Sequence, residues 1–221
     1  VYEVGSSKSL SPFKDTGLIG YWTFEEGSGS TTNDISKNGH TGTLYGTTSM
    51  WENSGKLGKA LKFNGSSNYV DIATTSSILP NAFTVVGWIK YNSGTRAPMA
   101  DFGALYPGLY YKYDGGTPLI FLNASVSYKY FQKSDYDLSW HHVAFIVPGN
   151  QVGDISQALM YQDGISIPIG SGTDSGAQAS KIAFRLGRGG STYLNGYLDD
   201  LRIYDRVLSM SEIKSIYDAT K

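Results

Sequence analysis

The 221-residue chain contains no cysteine, which excludes a disulfide framework and any thiolate-based metal or catalytic site. It does not exclude export, because a chain of this length can bury enough surface to fold without covalent staples. Glutamate is scarce, with residues at 3, 25, 26, 52 and 212 only. No run approaches the ~20 apolar residues that a membrane helix requires, so no membrane contact is expected of this stretch. Excess charge is also missing: 18 Lys and Arg against 19 Asp and Glu leave a net charge of −1. That provides no field to draw the chain onto nucleic acid. A secretory leader is not visible, and a start at Val1 rather than Met is read as a processed or truncated chain.

What is abundant points one way. The chain has 27 glycines and 17 tyrosines, and 40% of its residues are hydrophobic. A dozen or so short apolar runs, separated by turn residues every 8 to 12 positions, predict an antiparallel β-sandwich as a single domain over 17–221. Residues 1–16 are polar and irregular and read as a linker or arm. Asp163-Gly164 is expected to turn a hairpin. Ser209-Met-Ser-Glu212 is a capping box opening a short helix with Ile213, Ile216 and Tyr217 on one face. The expected core is Trp22, Phe24, Phe63, Trp88, Val143, Leu201 and Ile203, buried between opposed sheets.

The stretch from Tyr193 to Tyr204 reads as a strand with period-2 alternation. Asp199, Leu201 and Ile203 then share one face, and Asp200, Arg202 and Tyr204 the other. A carboxylate on an apolar face is costly unless something neutralises it. A bound cation, an arginine or backbone amides could each do so. Gly17–Glu26 reads as an opening strand that places Glu26 on the side of Trp22 and Phe24. The spacing of Asp34, Ser36 and Asn38 offers oxygens on one side of a loop, although turn chemistry alone explains such residues.

These segments carry a resemblance. Tyr21-Trp-x-Phe-Glu-Glu-Gly-x-Gly29, Asp34-x-Ser-x-Asn-Gly39, Gly55-Lys-Leu-Gly-Lys-Ala-Leu-Lys-Phe-Asn-Gly65, Ala82-Phe-Thr-Val-Val-Gly-Trp88, Trp140-His-His-Val-Ala144 and the closing Gly196-x-Leu-Asp-Asp-Leu-Arg-Ile-Tyr204 occur in an order that resembles the laminin-G-like jelly rolls. Those domains are part of the concanavalin A-like lectin/glucanase superfamily, and the likeness runs from about 17 to 217. It implies a concanavalin A-like jelly roll. It also implies a structural calcium tying the first and last strands, with Asp199, Glu26 (or Glu25) and the main chain near Asn64 and Gly65 as matching ligands. The leader before Gly-Leu-Ile-Gly-Tyr-Trp further resembles the join in pilin-like surface proteins.

For a ligand surface, sugars pair an apolar ring face with a hydroxylated rim, so binding sites combine aromatic faces with a few polar groups. Tyr106, Tyr110, Tyr111, Tyr113, Tyr128, Tyr130 and Tyr136 supply faces, while Arg96, Asp101, Asp114 and Asn123 supply polar partners. The same tyrosines could equally be cross-strand packing residues. The Glu-x-Asp-x-Glu strand of the glucanase branch is absent. Asp135 and Asp137 could share one strand face, but turn chemistry explains them as easily, and no nucleophilic triad is supported. The adjacent His141 and His142 point to opposite faces and cannot chelate together; His142 is expected to be packed and hydrogen-bonded. Gly187-Arg-Gly-Gly190 precedes no helix and is not a phosphate loop.

The expectation is therefore a non-enzymatic extracellular or cell-surface module. It would bind a glycan or a surface protein through Tyr106, Tyr110, Tyr111, Tyr128, Tyr130 and Asp101, with a calcium at Asp199, Glu26, Asn64 and Gly65. An adhesive head of a pilin-like appendage is the alternative, and a glycoside hydrolase the third reading. Nothing in the sequence fixes an oligomeric state.

Overall fold

The computed structural model describes residues 16–46, 49–72, 82–93, 97–101, 108–114, 117–124, 127–132, 137–148, 157–168 and 184–221. At 97, 108, 111–114, 117–124 and 127–132 it is the backbone that is described. The expected arm over 1–16 lies outside these residues except for its last position.

The strands are β1 (Leu18–Trp22), β2 (Thr31–Thr32), β3 (Gly42–Tyr45), β4 (Trp51–Glu52), β5 (Ala60–Asn64), β6 (Tyr69–Ile72), β7 (Phe83–Tyr91), β8 (Ala97–Asp101) and β9 (Gly108–Asp114). They continue as β10 (Thr117–Ala124), β11 (Ser127–Gln132), β12 (Trp140–Val147), β13 (Leu159–Gln162), β14 (Ile165–Ser166), β15 (Phe184–Leu186), β16 (Arg188–Gly189), β17 (Thr192–Tyr193) and β18 (Asn195–Tyr204). One helix, α1 (Met210–Thr220), closes the chain. The first sheet runs β14-β13-β12-β7-β18-β5-β4, with β1 also paired to β18. The second runs β11-β10-β9-β8-β15-β6-β3-β2, and β16-β17 form a separate hairpin. Every pairing described is antiparallel, so the expected all-β sandwich is the observed fold.

The period-2 pattern explains the layers. On β7, Phe83, Val85 and Ile89 enter the intersheet core, where they meet Val70, Ile72, Phe184 and Leu186 of the second sheet. The alternate residue Val86 faces outward into a second apolar cluster with Ala144, Ile146, Tyr204, Leu208, Ile213 and Ile216. Strands buried on both faces read as near-continuous apolar runs, and Phe83–Tyr91 and Trp140–Val147 do so because α1 covers the outer face. The helix forms as expected: Ser209 caps it, accepting from the Glu212 amide, while Glu212 reaches back to the Ser209 amide at 2.8 Å. Asp163 (φ 53°) and Gly164 (φ 76°) turn the β13–β14 hairpin.

Three expectations are corrected. Trp88 is buried, but under α1 rather than between the sheets: its indole Nε1 donates to Thr220 Oγ1 at 3.0 Å, and its ring meets His142 and Tyr217. Its odd-numbered neighbours Val85 and Ile89 take the inner face instead. The opening strand ends at Trp22, because Phe24 adopts φ 56°, so the alternation that placed Glu26 beside Trp22 does not persist. Finally, β18 carries a bulge: Asp199 pairs with Trp88 but Arg202 pairs with Val86, and Asp200 sits at φ 50°. The extra residue inverts the face of everything before it. Leu198, Leu201 and Ile203 therefore point into the core, and Asp199 points outward on the side of Trp88.

Candidate functional site

Asp199 is fully buried beneath the turn between β4 and β5. Its Oδ2 accepts the Leu57 amide at 2.8 Å, while Oδ1 is buried with no hydrogen-bond partner. Burial pushes its carboxyl up to about 8; the Leu57 amide opposes this, and the negative charges of Asp200 and Glu25 add to it. The turn itself is closed by Gly55 N donating to Gly58 O at 2.8 Å. Both of its glycines lie against carboxylates. A Cβ at Gly55 would stand 2.9 Å from Asp199 Oδ2, and one at Gly58 (φ 76°) 2.5 Å from Glu25 Oε1. Lys56, in the same turn, places its ammonium 4.3 Å from the centre of the Trp88 ring.

The four expected metal residues are not gathered in one place. Glu26 turns toward β2, accepting the Asn33 amide at 2.6 Å, and it is Glu25 that meets the turn over Asp199. Asn64 Oδ1 accepts three amides, from Ser66, Ser67 and Asn68. Asn64 pairs with Asn195, four residues from Asp199 along β18, which is ~13 Å at ~3.3 Å per residue. That is beyond a shared coordination sphere. Gly65 (φ 76°) turns the chain there and donates to Leu194 O. Among the described residues no three His, Cys, Asp or Glu side chains cluster as a metal site. A cation at Asp199 would thus have to draw on Glu25, main-chain carbonyls and water, a donor mixture that suits Ca²⁺. The orphaned Asp199 Oδ1 is what favours such an occupant.

The second loop proves to be a staple. Asp34 spends Oδ1 on the amides of Tyr21 and Ser36 and Oδ2 on that of His40. Partial burial opposes ionisation, but these bonds outweigh it and hold the carboxyl below its usual range. Ser36 and Asn38 bond to each other, and Asn38 Nδ2 reaches Leu18 O. Among the histidines, His141 makes the side-chain bonds, to Asp163 at 2.8 Å and Asp137 at 3.0 Å. His142 is packed, with Trp88 and Tyr217 around it, but neither ring nitrogen has a hydrogen-bond partner. Burial, and then the charge of Arg202, push its pKa down to about 3, against the pull of Asp163. The buried Asp200 and Arg202 are paired: Arg202 donates to Asp200 Oδ2 at 2.8 Å and to the Tyr21 hydroxyl at 3.0 Å, and that hydroxyl donates to Asp200 Oδ1.

Of the expected ligand residues, Asp101, Tyr110, Tyr111, Tyr128 and Tyr130 lie on the second sheet. Asp101 ends β8, 5% exposed, and its cross-strand neighbour is Arg185, whose other neighbour is Asp71. Continuing through Thr43 and Thr31, the register makes one polar row on the face opposite the core. Arg185 Nε lies 3.8 Å from Asp71 Oδ2 and makes no hydrogen bond. The row had no signal in the sequence, since its members are up to 154 positions apart (185 minus 31). Tyr110 is 9% exposed and tucks against Gly189 of the β16–β17 hairpin. The backbone register sets Tyr110, Phe121 and Tyr130 in one cross-strand row, Tyr111 one residue off it, and Tyr128 opposite Asn123. Tyr106, Arg96, Asp135 and Tyr136 lie outside the described residues.

Comparison with curated protein sequences finds no match. Among solved structures the chain is similar to domain 4 of AbnA, a GH43 extracellular arabinanase from Geobacillus stearothermophilus, in complex with arabinotriose. There the identity is 20% and the TM-score 0.66, covering 94% of this chain and all of that one. It is similar to the botulinum neurotoxin serotype D/C binding domain at 14% identity and TM-score 0.66, covering 93% of this chain and 52% of that one. A Trypanosoma rangeli sialidase matches at 18% identity and TM-score 0.57, over 91% of this chain and 32% of its own length. At these identities the likenesses concern the fold. A family model, Laminin_G_3, matches residues 64–214. That span takes in the closing strand, its paired aspartates and the capping box, and by it this chain belongs to the concanavalin A-like lectin/glucanases superfamily.

Proposed function

We propose that this chain is a non-enzymatic recognition module of an extracellular or cell-surface protein, binding carbohydrate on the outer face of its second sheet. The observation that carries the reading is the row Asp101, Arg185, Asp71, with Tyr110 on the strand next to Asp101. Asp71 and Arg185, whose side chains are 37% and 34% exposed, offer an acceptor and a donor at strand spacing, suited to a hydroxylated rim, with the buried Asp101 and Tyr110 behind them. Two neighbours in fold support the class of partner: one is described in complex with arabinotriose and another in complex with rat synaptotagmin II, a sugar and a protein. The polar row favours the sugar.

Hydrolysis is not favoured by the same geometry. Asp71 and Asp101 flank Arg185 on either side, two strands apart and so ~10 Å from each other at ~4.8 Å per strand. A retaining pair needs about 5 Å, and an inverting pair needs a water where the guanidinium stands. Calcium is proposed as a structural ion, held by Asp199 with Glu25 across the Gly55–Gly58 turn.

A glycan array probed with the intact chain tests the reading. We expect binding to a saccharide that Arg185→Gln weakens about tenfold or more, the scale of losing a charged hydrogen bond. Saccharide binding indifferent to Arg185→Gln and Asp101→Asn would move the site elsewhere. Capture of a protein ectodomain with no saccharide binding would replace the reading, and turnover of a polysaccharide would end the non-enzymatic part of it.

A further inference from the structure

We propose that the stack of Tyr45, Tyr69, Arg188 and Tyr193, beside the polar row, is a subsite selecting a carboxylated sugar of the uronic-acid type. This deepens, and rests on, the carbohydrate-binding reading.

Three elements build the stack. Tyr45 on β3 and Tyr69 on β6 are cross-strand partners, and their rings lie parallel, 4.8 Å apart with 7° between planes. Arg188 and Tyr193 are partners in the β16–β17 hairpin. The hairpin lays the Arg188 guanidinium 4.9 Å from the centre of the Tyr69 ring and 5.4 Å from that of Tyr193. Tyr45, 45% exposed, forms the outer layer. Tyr69 and Asp71 are two residues apart on β6, so the stack and the polar row occupy one continuous face.

Charge separates this stack from the row. Arg185 stands between two aspartates, whereas Arg188, among the described residues, makes no ion pair. Its described hydrogen bond is from Nε to the Gly190 carbonyl, at 3.3 Å. Aromatic stacking uses the faces of a guanidinium and leaves its in-plane donors for a ligand. With Nε on the Gly190 carbonyl, the Nη donors belong to a planar fork that matches a carboxylate in bidentate fashion. Arg188 is half-buried, and the neighbouring Gly190 (φ 59°) has open space on its side-chain side. Tyr45 and Arg188 flank the Tyr69 ring at 4.8 Å and 4.9 Å, so a ligand that fills both features is an oligosaccharide that lays a flat C–H face on Tyr45 and presents the carboxylate of a neighbouring residue to Arg188, which is the chemistry of an oligouronate. An acidic peptide fits less well. Peptides dock along free sheet edges, in apolar grooves or on clusters of arginines, whereas β3 and β6 are paired on each side, the edges of the β16–β17 hairpin are two residues long, and Arg188 is the one arginine of the stack.

Calorimetric titration of the intact chain with trigalacturonate and with its carboxyl-reduced, neutral counterpart tests this. We expect the acidic trimer to bind on the order of tenfold or more tighter, with affinity falling as salt rises. Arg188→Gln should erase that preference by weakening the acidic trimer far more than the neutral one. Arg188→Lys, which keeps charge but not the planar fork, should fall between. Tyr45→Ala should weaken both ligands. Equal affinity for the two trimers, or a preference that survives Arg188→Gln, overturns the proposal. So does tighter binding of hexaglutamate than of trigalacturonate at Arg188. Binding of neutral saccharides alone overturns it and leaves the broader reading standing; binding of no saccharide removes both.

Discussion

At the scale of single residues, two buried groups set opposite pH responses. The Asp199 carboxyl holds its proton up to about pH 8 in the folded chain, and an unfolded aspartate releases it near ~3.9. Between those values the folded state binds more protons, so stability falls as pH rises, by at most ~1.4 kcal/mol per unit. His142 behaves inversely. It stays neutral down to about pH 3 while an unfolded histidine protonates near ~6.5, so stability falls as pH drops through that window. In chelator, denaturant titrations should therefore show a plateau between about pH 4 and 6.5, where the two slopes cancel, and a decline from there to about 8. Asp199→Asn should abolish the decline, and His142→Phe should extend it down to about pH 4. A flat profile in both variants and wild type would mean that neither group titrates as its surroundings dictate. The sequence marked Asp199 as a carboxylate in need of a partner, because a charge among apolar residues is costly wherever it points. It did not show that Glu25 rather than Glu26 is the neighbour, since that depends on Phe24 leaving extended geometry.

At the scale of elements, the most informative departure is the bulge in β18. Parity arguments assume that every residue advances the strand equally, and one left-handed residue at Asp200 reverses the faces on either side of it. The bulge also aims Asp200 at Arg202 and Tyr21. Asp200→Ala strands a buried guanidinium and should cost ~3–5 kcal/mol, against a smaller loss for the double variant Asp200→Ala, Arg202→Met. A double-variant loss equal to the sum of the losses of Asp200→Ala and Arg202→Met in urea melts would show the pair to be uncoupled. By contrast, α1 was legible almost residue by residue, since a capping box and a 3.6-residue apolar stripe are local signals. What it covers was not. The Trp88 indole meets Thr220 across 132 positions, and no local pattern encodes that contact. Thr220→Val should cost ~1–3 kcal/mol by leaving the indole N–H buried without an acceptor. Trp88 fluorescence on unfolding would report that loss as an earlier midpoint.

For the whole molecule, the fold was readable because short alternating runs and turn residues recur along the full chain, and each needs only its neighbours to be recognised. The site was not, because Asp71, Asp101 and Arg185 become a surface only when three strands from different thirds of the chain are laid side by side. The ion proposed beneath the Gly55–Gly58 turn joins strands in the same sense. At 100 times its dissociation constant, Ca²⁺ should add ~2.7 kcal/mol, a shift of several degrees in melting temperature that chelator reverses and Asp199→Ala eliminates. A chelator-sensitive shift that survives Asp199→Ala would place the ion elsewhere, and no shift would leave Asp199 as an internal proton reservoir. The pairing of β1 with β18 has a mechanical consequence. Leu18 lies opposite Tyr204, and Arg206 Nε holds the Thr16 carbonyl at 2.7 Å. Tension entering at Thr16 and Lys221 would strip α1 first and then part this strand pair from its open end. Its hydrogen bonds would carry the load one after another, as a zipper does, rather than together in shear. A pulling experiment through those two points should therefore find a domain that yields at low force.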